Sequence, residues 1–380
     1  MSNEIGLEAK QVKVLLLADI ASEHTERWAL GLARKGVRVG LFSFNKSHHA
    51  WYDNVDNIEL LFEPKKRVGG LSIFEKVNYF RYYFPLKRAI KSFNPDILHA
   101  HYASSYGLLG ALSGFKRLVI SVWGSDVFEF PKQNSMYPMI LRYALSKPQM
   151  ICSTSFCMRD EAKQYTEKPI DVVPFGIDLN RFQRLDSQLP FSNADHINIG
   201  CIKSIDEKYG TKILVKAFIQ LMDRFPQKPL RLFLIGDGPQ RLALEKMIEE
   251  MGLRDSVVFT GRIPHVEIPE WHKKLDVFVS LSTCRESFGV SLVEAMASRS
   301  CVIASDADGF KEVLGEDGSC GSIVAGNSVE EAFEAMSQVI ENPSKALSQL
   351  SAARERVEQF YNWEKNLDQM VGIYNKIIES

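Results

Sequence analysis

The sequence predicts an α/β protein of two domains, each a doubly wound parallel sheet with helices on both faces. Three observations carry this. Short β-branched runs alternate with helical stretches along the whole chain, the pattern of strands joined by crossover helices. Polar and glycine-rich residues cluster just after the runs, at Gly236-Asp237-Gly238, Gly261-Arg262 and Thr283 through Glu286, where such sheets bind ligands. A loop-rich stretch, Pro174–Asp195, separates two series of runs, and 380 residues suffice for two cores.

Taken in order, Val12–Ala18 reads as a first buried strand, followed by a helix through Trp28–Lys35 and a strand at Val37–Ser43. Asp96–His99, Leu118–Val122, Met150–Thr154 and Asp171–Val173 complete the first half. The second half begins at Ile197–Cys201 and continues with Leu230–Ile235, Val257–Phe259, Val277–Leu281 and Val302–Ala304, with helices between. A last helix follows around Trp363–Ile378. The expected boundaries are a first domain at 1–174, a linker at 175–195, a second domain at 196–360 and a C-terminal helix at 361–380.

The overall charge of −1 conceals an uneven split. Residues 1–174 carry 23 Lys and Arg against 17 Asp and Glu, whereas residues 175–380 carry 23 against 30. The positive half suits an anionic surface or partner. The six cysteines form no C-x-x-C pair and have no histidine spacing suited to zinc. They read as buried free thiols of a reducing compartment. The polar, acidic start does not read as a signal peptide, and no run reaches about 18 apolar residues, so the expected location is cytoplasmic, or peripheral on the inner face of the cytoplasmic membrane.

The segment from Arg285 to Met296 carries the most chemistry. Two carboxylates, Glu286 and Glu294, flank a small-residue turn that runs into an apolar helix. Gly289 lets the backbone approach a ligand, and the turn offers free N–H groups at the positive end of the helix dipole, a place for a phosphate. The carboxylates would be repelled by phosphate unless they bind hydroxyls: Glu286 those of a sugar, Glu294, one turn in, those of a ribose. A nucleotide-sugar fits that arrangement better than a free nucleotide. The plain alternative is an amphipathic helix with Val290, Val293 and Met296 inward and Glu294 solvated. Beyond the strand Ile197–Cys201, Lys203 and Lys208 suit a diphosphate that gains charge as its sugar departs, or form a solvated pair.

With Phe288-Gly289 between the glutamates and Glu294-Ala295-Met296-Ala297 after them, the segment resembles the E-x7-E signature of the retaining family-4 glycosyltransferases of the GT-B fold. The resemblance implies two Rossmann-like domains facing each other across a cleft, with the C-terminal helix crossing back to the first. It implies Glu286, Lys208 and Lys203 as catalytic residues, to which Asp126 is added for its place beside Trp123. Donor contacts would come from Glu294, Ser287, Phe288, Gly289, Val290, Gly236 and Gly238, with the main chain of Arg262 and Ile263 reading the base. The family commonly has Arg where this chain has Lys203, which keeps the charge and loses bidentate geometry. Asp306-Ala307-Asp308 looks like a metal-binding D-x-D, but it aligns with the family's loop before a Gly-x-x-Glu, here Gly309 to Glu312, so no metal and no cofactor are expected.

In the first half, His24 and Arg27 sit between a strand and its helix, where they would touch an acceptor or its phosphate, or simply occupy a helix N-terminal turn. His99 and His101 alternate to one side of a strand end and read as lining a cleft, zinc lacking further ligands. Asp126 is the expected polar contact to a donor sugar or acceptor hydroxyl, and Trp123 stands where many relatives have histidine. Residues 65–93 are basic and aromatic, which suits an anionic bilayer, or a helix packed by its aromatics with a solvated basic face.

The expected function is retaining transfer from a nucleoside-diphosphate sugar, UDP-linked, to a saccharide or polyprenyl-linked acceptor of a cell-surface polysaccharide. Nucleic acid is not an expected partner. Two alternatives remain: a sugar-nucleotide epimerase, and an inactive nucleotide-sugar or membrane-binding scaffold, prompted by Trp123 and Lys203. A dinucleotide-dependent dehydrogenase is disfavoured, because no G-x-G-x-x-G follows the first strand.

Overall fold

The computed structural model describes residues 11–47, 49–65, 81–192 and 196–380. The chain forms two compact units, Met1–Val173 with Lys365–Ser380, and Pro174–Glu364. Each is built on one parallel sheet with helices, as the sequence predicts.

The first sheet contains β1 (Lys13–Leu17), β2 (Arg38–Phe42), β3 (Ile58–Phe62), β4 (Ile97–His101), β5 (Leu118–Val122), β6 (Met150–Ser153) and β7 (Ile170–Val172). Their order is β3-β2-β1-β4-β5-β6-β7. The inner strands are mostly apolar rather than alternating, because helices cover both faces; β4 and β5 are buried at every position, His99, His101 and Ser121 included. Register is set by pairs such as Leu15 with Gly40 and Leu98. The helices Tyr83–Phe93 and Tyr137–Ser146 press Leu86, Phe93, Leu141 and Leu145 into one core with Leu17, Ile120 and Ile151.

The second sheet contains β8 (Ile197–Ile202), β9 (Leu230–Ile235), β10 (Val257–Gly261), β11 (Val277–Ser280), β12 (Cys301–Ser305) and β13 (Ser322–Val324), in the order β10-β9-β8-β11-β12-β13. Its core joins Ile199, Leu232 and Val279 to Phe218 and Met336 of the covering helices. Edge strands β3 and β13 were not anticipated. The first is a half-buried Ile-Glu-Leu-Leu-Phe without clean alternation, and the second is three residues long.

The linker region is part of the second unit. Asp276, buried at the start of β11, accepts from the backbone N–H of Asn198 at 2.7 Å and of Phe191 at 2.9 Å, tying the loop-rich stretch to the sheet. Further along, Ile177 and Asn362 form a parallel bridge, closed by Ile177 N–H to Tyr361 O at 2.6 Å and Trp363 N–H to Ile177 O at 3.1 Å.

The last helix, Trp363–Glu379, delivers residues 365–380 to the first unit. Tyr374 is fully buried, and its hydroxyl lies 2.7 Å from His99 Nδ1, while Ser121 Oγ lies 2.8 Å from His99 Nε2. Lys35 pairs with Asp368 at 2.6 Å, and Gln369 donates to the carbonyl of Val172 at 3.0 Å. Of the basic, aromatic stretch 65–93, residues 66–80 lie outside the described residues. Its described helix buries Leu86, Ala89 and Phe93 and turns Arg81, Phe84, Lys87, Arg88 and Lys91 outward.

Two predictions follow from the buried histidine. Replacing Tyr374 with Phe leaves His99 Nδ1 buried without that partner, so the protein should lose about 1–3 kcal/mol, read as a lower urea midpoint at unchanged m. Burial lowers the pKa of His99 from 6.5 to about 3. The native base stays neutral while the unfolded chain binds a proton below about pH 6.5, so stability should fall as pH drops from 6.5 towards 3. Urea midpoints on either side of that window should show the loss, and His99→Gln should reduce it, leaving the share of buried His101.

Candidate active site

In the second sheet the strand order reverses between β8 and β11, and their carboxyl ends open the crevice that such sheets use for ligands. The residues after β8 and β11 meet there. Lys203 Nζ lies 2.8 Å from Glu286 Oε1, and Ser282 Oγ donates to the same oxygen at 2.7 Å. The Lys203 ammonium also sits 4.6 Å from the Tyr209 ring centre, and Lys208 sits 5.0 Å from that ring. Main-chain bonds lock the two loops: the Thr283 N–H donates to Lys208 O at 2.9 Å. Lys208 lies in a short 3-10 turn, Glu207–Tyr209, rather than in the helix that begins at Thr211.

The neighbouring loops close around this pair. At Gly236, φ is +145° and a Cβ would lie 2.0 Å from the carbonyl oxygen of Lys203, so only glycine fits. Gly238 is similarly confined, since a Cβ there would lie 2.3 Å from the carbonyl oxygen of Ile205, and its N–H donates to Asp237 Oδ1 at 2.9 Å. Gly236 bridges to Gly261 at the end of β10, next to exposed Arg262 and half-buried Ile263. Glu286 O accepts from Gly309 N–H at 3.1 Å, joining the loop after β12. Asp306 and Asp308 are turned to protein partners, Gly326 N–H at 3.3 Å and Lys311 at 3.3 Å. Among the described residues no group of three or more His, Cys, Asp or Glu could hold a metal ion.

Gly289, at φ +106° and packed against Phe310, starts the helix Val290–Ala297, which has no side-chain cap. Its first N–H groups therefore face the crevice end of the sheet without a capping oxygen from the N-cap residue. Ser287 is half-buried, and Phe288 turns its ring inward against Phe175 and Tyr361. Glu294 is buried, not solvated. Its Oε2 lies 3.3 Å from His272 Nε2 and its Oε1 lies 3.8 Å from His265 Nε2. Burial alone would raise its pKa, but the bonds from His265 and His272 outweigh it and hold the carboxyl down at about 2.

In the first unit, two expected site residues prove structural. Asp126 is fully buried, and its carboxylate accepts from the backbone N–H of Ala103 at 2.7 Å, Gly124 at 2.8 Å and Trp123 at 3.1 Å. It shapes the loop after β5 and does not reach a sugar hydroxyl. His99 has both ring nitrogens engaged by Tyr374 and Ser121, so it cannot line a cleft for an acceptor. His101 is buried beside it, with ring centres 4.5 Å apart, and lies 4.4 Å from the Trp123 ring centre. Burial pushes the His101 pKa far below 6.5, with His99 and His24 adding to the effect. Half-buried His24 meets the edge of Trp123 at 6.0 Å. His24, His101 and Trp123 thus gather after β1, β4 and β5, beside the first sheet's own order reversal at β1 and β4, with Arg27 one turn along the helix Glu23–Arg34.

Ser282 and His272 went unnoticed in the sequence. Ser282 sits four residues before Glu286, and its small size at a strand end was the available signal. His272 lies 22 residues before Glu294, a separation with no periodic meaning.

Comparison with known proteins matches both halves. The family model described as glycosyl transferases group 1 matches residues 184–356, and glycosyl transferase 4-like matches residues 13–155. The lipopolysaccharide core biosynthesis mannosyltransferase LpcC of Rhizobium leguminosarum bv. viciae is 26% identical over 58% of this chain and 63% of its own length. A 2-deoxystreptamine glucosyltransferase of Streptomyces kanamyceticus is 31% identical over 50% of each chain. A GDP-mannose-dependent alpha-(1-6)-phosphatidylinositol monomannoside mannosyltransferase of Mycolicibacterium smegmatis is 26% identical over 73% of this chain and 76% of its own. The matched stretch therefore spans half to about two thirds of the first two relatives. Among solved structures, sucrose-phosphate synthase from Thermosynechococcus elongatus superposes with a TM-score of 0.79 at 19% identity, covering 97% of this chain and 100% of that one. HepE of Anabaena, solved with UDP and glucose, superposes at 0.74 with 19% identity, covering 96% and 100%. These likenesses fix the fold, and with the two family models they place the chain among the family-4-like glycosyltransferases of the GT-B fold.

Proposed function

We propose that this protein transfers a sugar, with retention, from a nucleoside-diphosphate sugar to a hydroxyl of a saccharide acceptor. The observation that carries this is the Lys203–Glu286 pair at the order reversal of the second sheet, beside the uncapped helix end at Gly289. Glu286 holds hydroxyls of the donor sugar, and Glu294 holds the ribose. Gly236 and Gly238 let the main chain approach the nucleotide, and the main chain of Arg262 and Ile263 reads the base. The bond from the anomeric carbon to the phosphate oxygen breaks as the bond to the acceptor oxygen forms. The acceptor proton passes to a phosphate oxygen on the same face. Lys203, Lys208 and the N–H groups of Gly289 and Val290 take up the charge left on the diphosphate, so the reaction needs neither metal nor protein nucleophile. Fixed charges aimed at a developing anion are usually the largest catalytic contribution.

UDP is the nucleotide expected from the sequence; the relative named as GDP-mannose-dependent favours guanine as a second reading. Relatives named for lipopolysaccharide core and phosphatidylinositol mannoside synthesis support a glycolipid acceptor. An anionic bilayer as the place of that acceptor is supported by the first unit. Between residues 81 and 159 there are ten Lys and Arg and only Asp96, Asp126 and Glu129 as acids, Asp126 being buried. That segment also turns out Phe84 at 70% exposure and, at helical spacing, Met136, Met139 and Tyr143. No described helix is long and apolar enough to cross a membrane.

Thermal shifts with UDP, GDP and ADP, each with and without EDTA, should give stabilisation by one nucleoside diphosphate that EDTA leaves unchanged; about 2.7 kcal/mol is expected at 100 times Kd. Glu286→Ala should abolish transfer and leave that shift largely intact. Transfer by Glu286→Ala would remove its assignment to the sugar, and product formed from donor alone would indicate an epimerase. Vesicles containing phosphatidylglycerol should co-sediment the protein, phosphatidylcholine alone should not, and about 0.5 M salt should release it. Met139→Glu combined with Tyr143→Glu should abolish sedimentation without altering the nucleotide shift.

A further inference from the structure

Glu294 makes unequal use of its two oxygens. Oε2 points inward to His272, whose ring is fully buried between Phe182 and Phe278, with centres at 5.9 and 5.3 Å. Oε1 points towards His265, which is 39% exposed and continues the loop Gly261-Arg262-Ile263-Pro264. A carboxylate only accepts, so Nε2 of His272 carries the proton between them. His272 Nδ1 is buried and has no hydrogen-bond partner among the described residues, which leaves the bond to Glu294 as the polar use of this ring.

The backbone under His272 is held with unusual care. Its helix, Ile268–Lys274, ends against the guanidinium of Arg184, which donates to the carbonyls of His272 at 3.4 Å, of Lys273, and of Leu275 at 2.8 Å. Ser300 Oγ donates to the same His272 carbonyl at 3.2 Å and to Leu275 O at 3.1 Å. A buried cation at a helix C-terminus is favourable to the last carbonyls and removes the freedom of that turn to fray. The imidazole is thus fixed on its backbone side by Arg184 and Ser300, and its free edge is spent on one oxygen of Glu294.

We propose that His272 is a positioning residue for the nucleotide site: it pins Oε2 of Glu294, so that Oε1 is presented to a ribose hydroxyl beside the Gly261–His265 loop. The inference rests on the ribose contact proposed for Glu294. An unpinned carboxylate would keep two rotational states and pay ordering entropy on binding; a pinned one meets the hydroxyl already oriented. His272 itself touches no ligand.

The test compares UDP and GDP with their 2′-deoxy and 3′-deoxy counterparts, by calorimetry, on wild type, His272→Gln, His272→Phe and Glu294→Gln. Wild type should bind the ribonucleotide about tenfold more tightly than a deoxy form, the equivalent of about 1.4 kcal/mol. His272→Gln, which keeps an N–H donor at similar reach, should retain most of that ratio. His272→Phe should bring it close to one while leaving affinity for the deoxy nucleotide unchanged. A purely structural role would lower binding of both nucleotides together, in His272→Phe and His272→Gln alike, and that result would overturn the inference. A ratio lost in Glu294→Gln but kept in His272→Phe overturns this inference and leaves the ribose contact standing. No discrimination by wild type overturns both.

Discussion

The ion pair between Lys203 and Glu286 is the contact on which the second unit's chemistry depends. It joins the loops that leave β8 and β11, the two strands from which the chain departs in opposite directions across the sheet. Every other element of the site is arranged around loops that this pair holds together: the glycine turn after β9 rests on the carbonyl of Lys203, and the helix at Asp308 begins against the carbonyl of Glu286. The pair also sets the resting charge. The ammonium is paired with a carboxylate and lies over the Tyr209 ring. Under the proposed function, a diphosphate, which carries more charge than one carboxylate, draws the lysine away and leaves Glu286 to hydroxyl donors, so that one contact couples recognition of the phosphates to recognition of the sugar.

The sheets were legible because parallel strands covered on both faces are largely apolar runs. β5 and β9 match the sequence expectation residue for residue, and most other inner strands match within one or two. The loops after β8 and β11 were equally legible, since lysines, glutamates and glycines just beyond an apolar run have few structural uses. What the sequence conceals is whether a polar side chain at a strand end turns out or in. Asp126 and Lys203 look alike in that respect. Yet three backbone N–H groups consume the first, because the turn at Gly124 folds back over it, while the second stays at the crevice.

The histidines make the same point. His99 and His101 share one strand and one parity, and both are enclosed, the first because a tyrosine 275 residues later supplies its partner. His272, in an unremarkable Trp-His-Lys-Lys run, is tied to the carboxylate that the sequence singled out. Partners that are distant in the chain and belong to different helices leave no periodic trace, so neither role is visible before the fold is known.

The interleaving of the two units has a consequence for synthesis. The first sheet is complete once β7 has been made, but the helix that seals His99 is translated only after the whole second unit. On the ribosome, the whole of residues 174–364 must emerge before that seal arrives. During that interval the first unit exposes the apolar side that Leu367, Met370, Tyr374 and Ile377 later cover, whereas the second unit, continuous in sequence, needs nothing made after it. The second unit is therefore complete before the first, the reverse of the order in which the two sheets are synthesised.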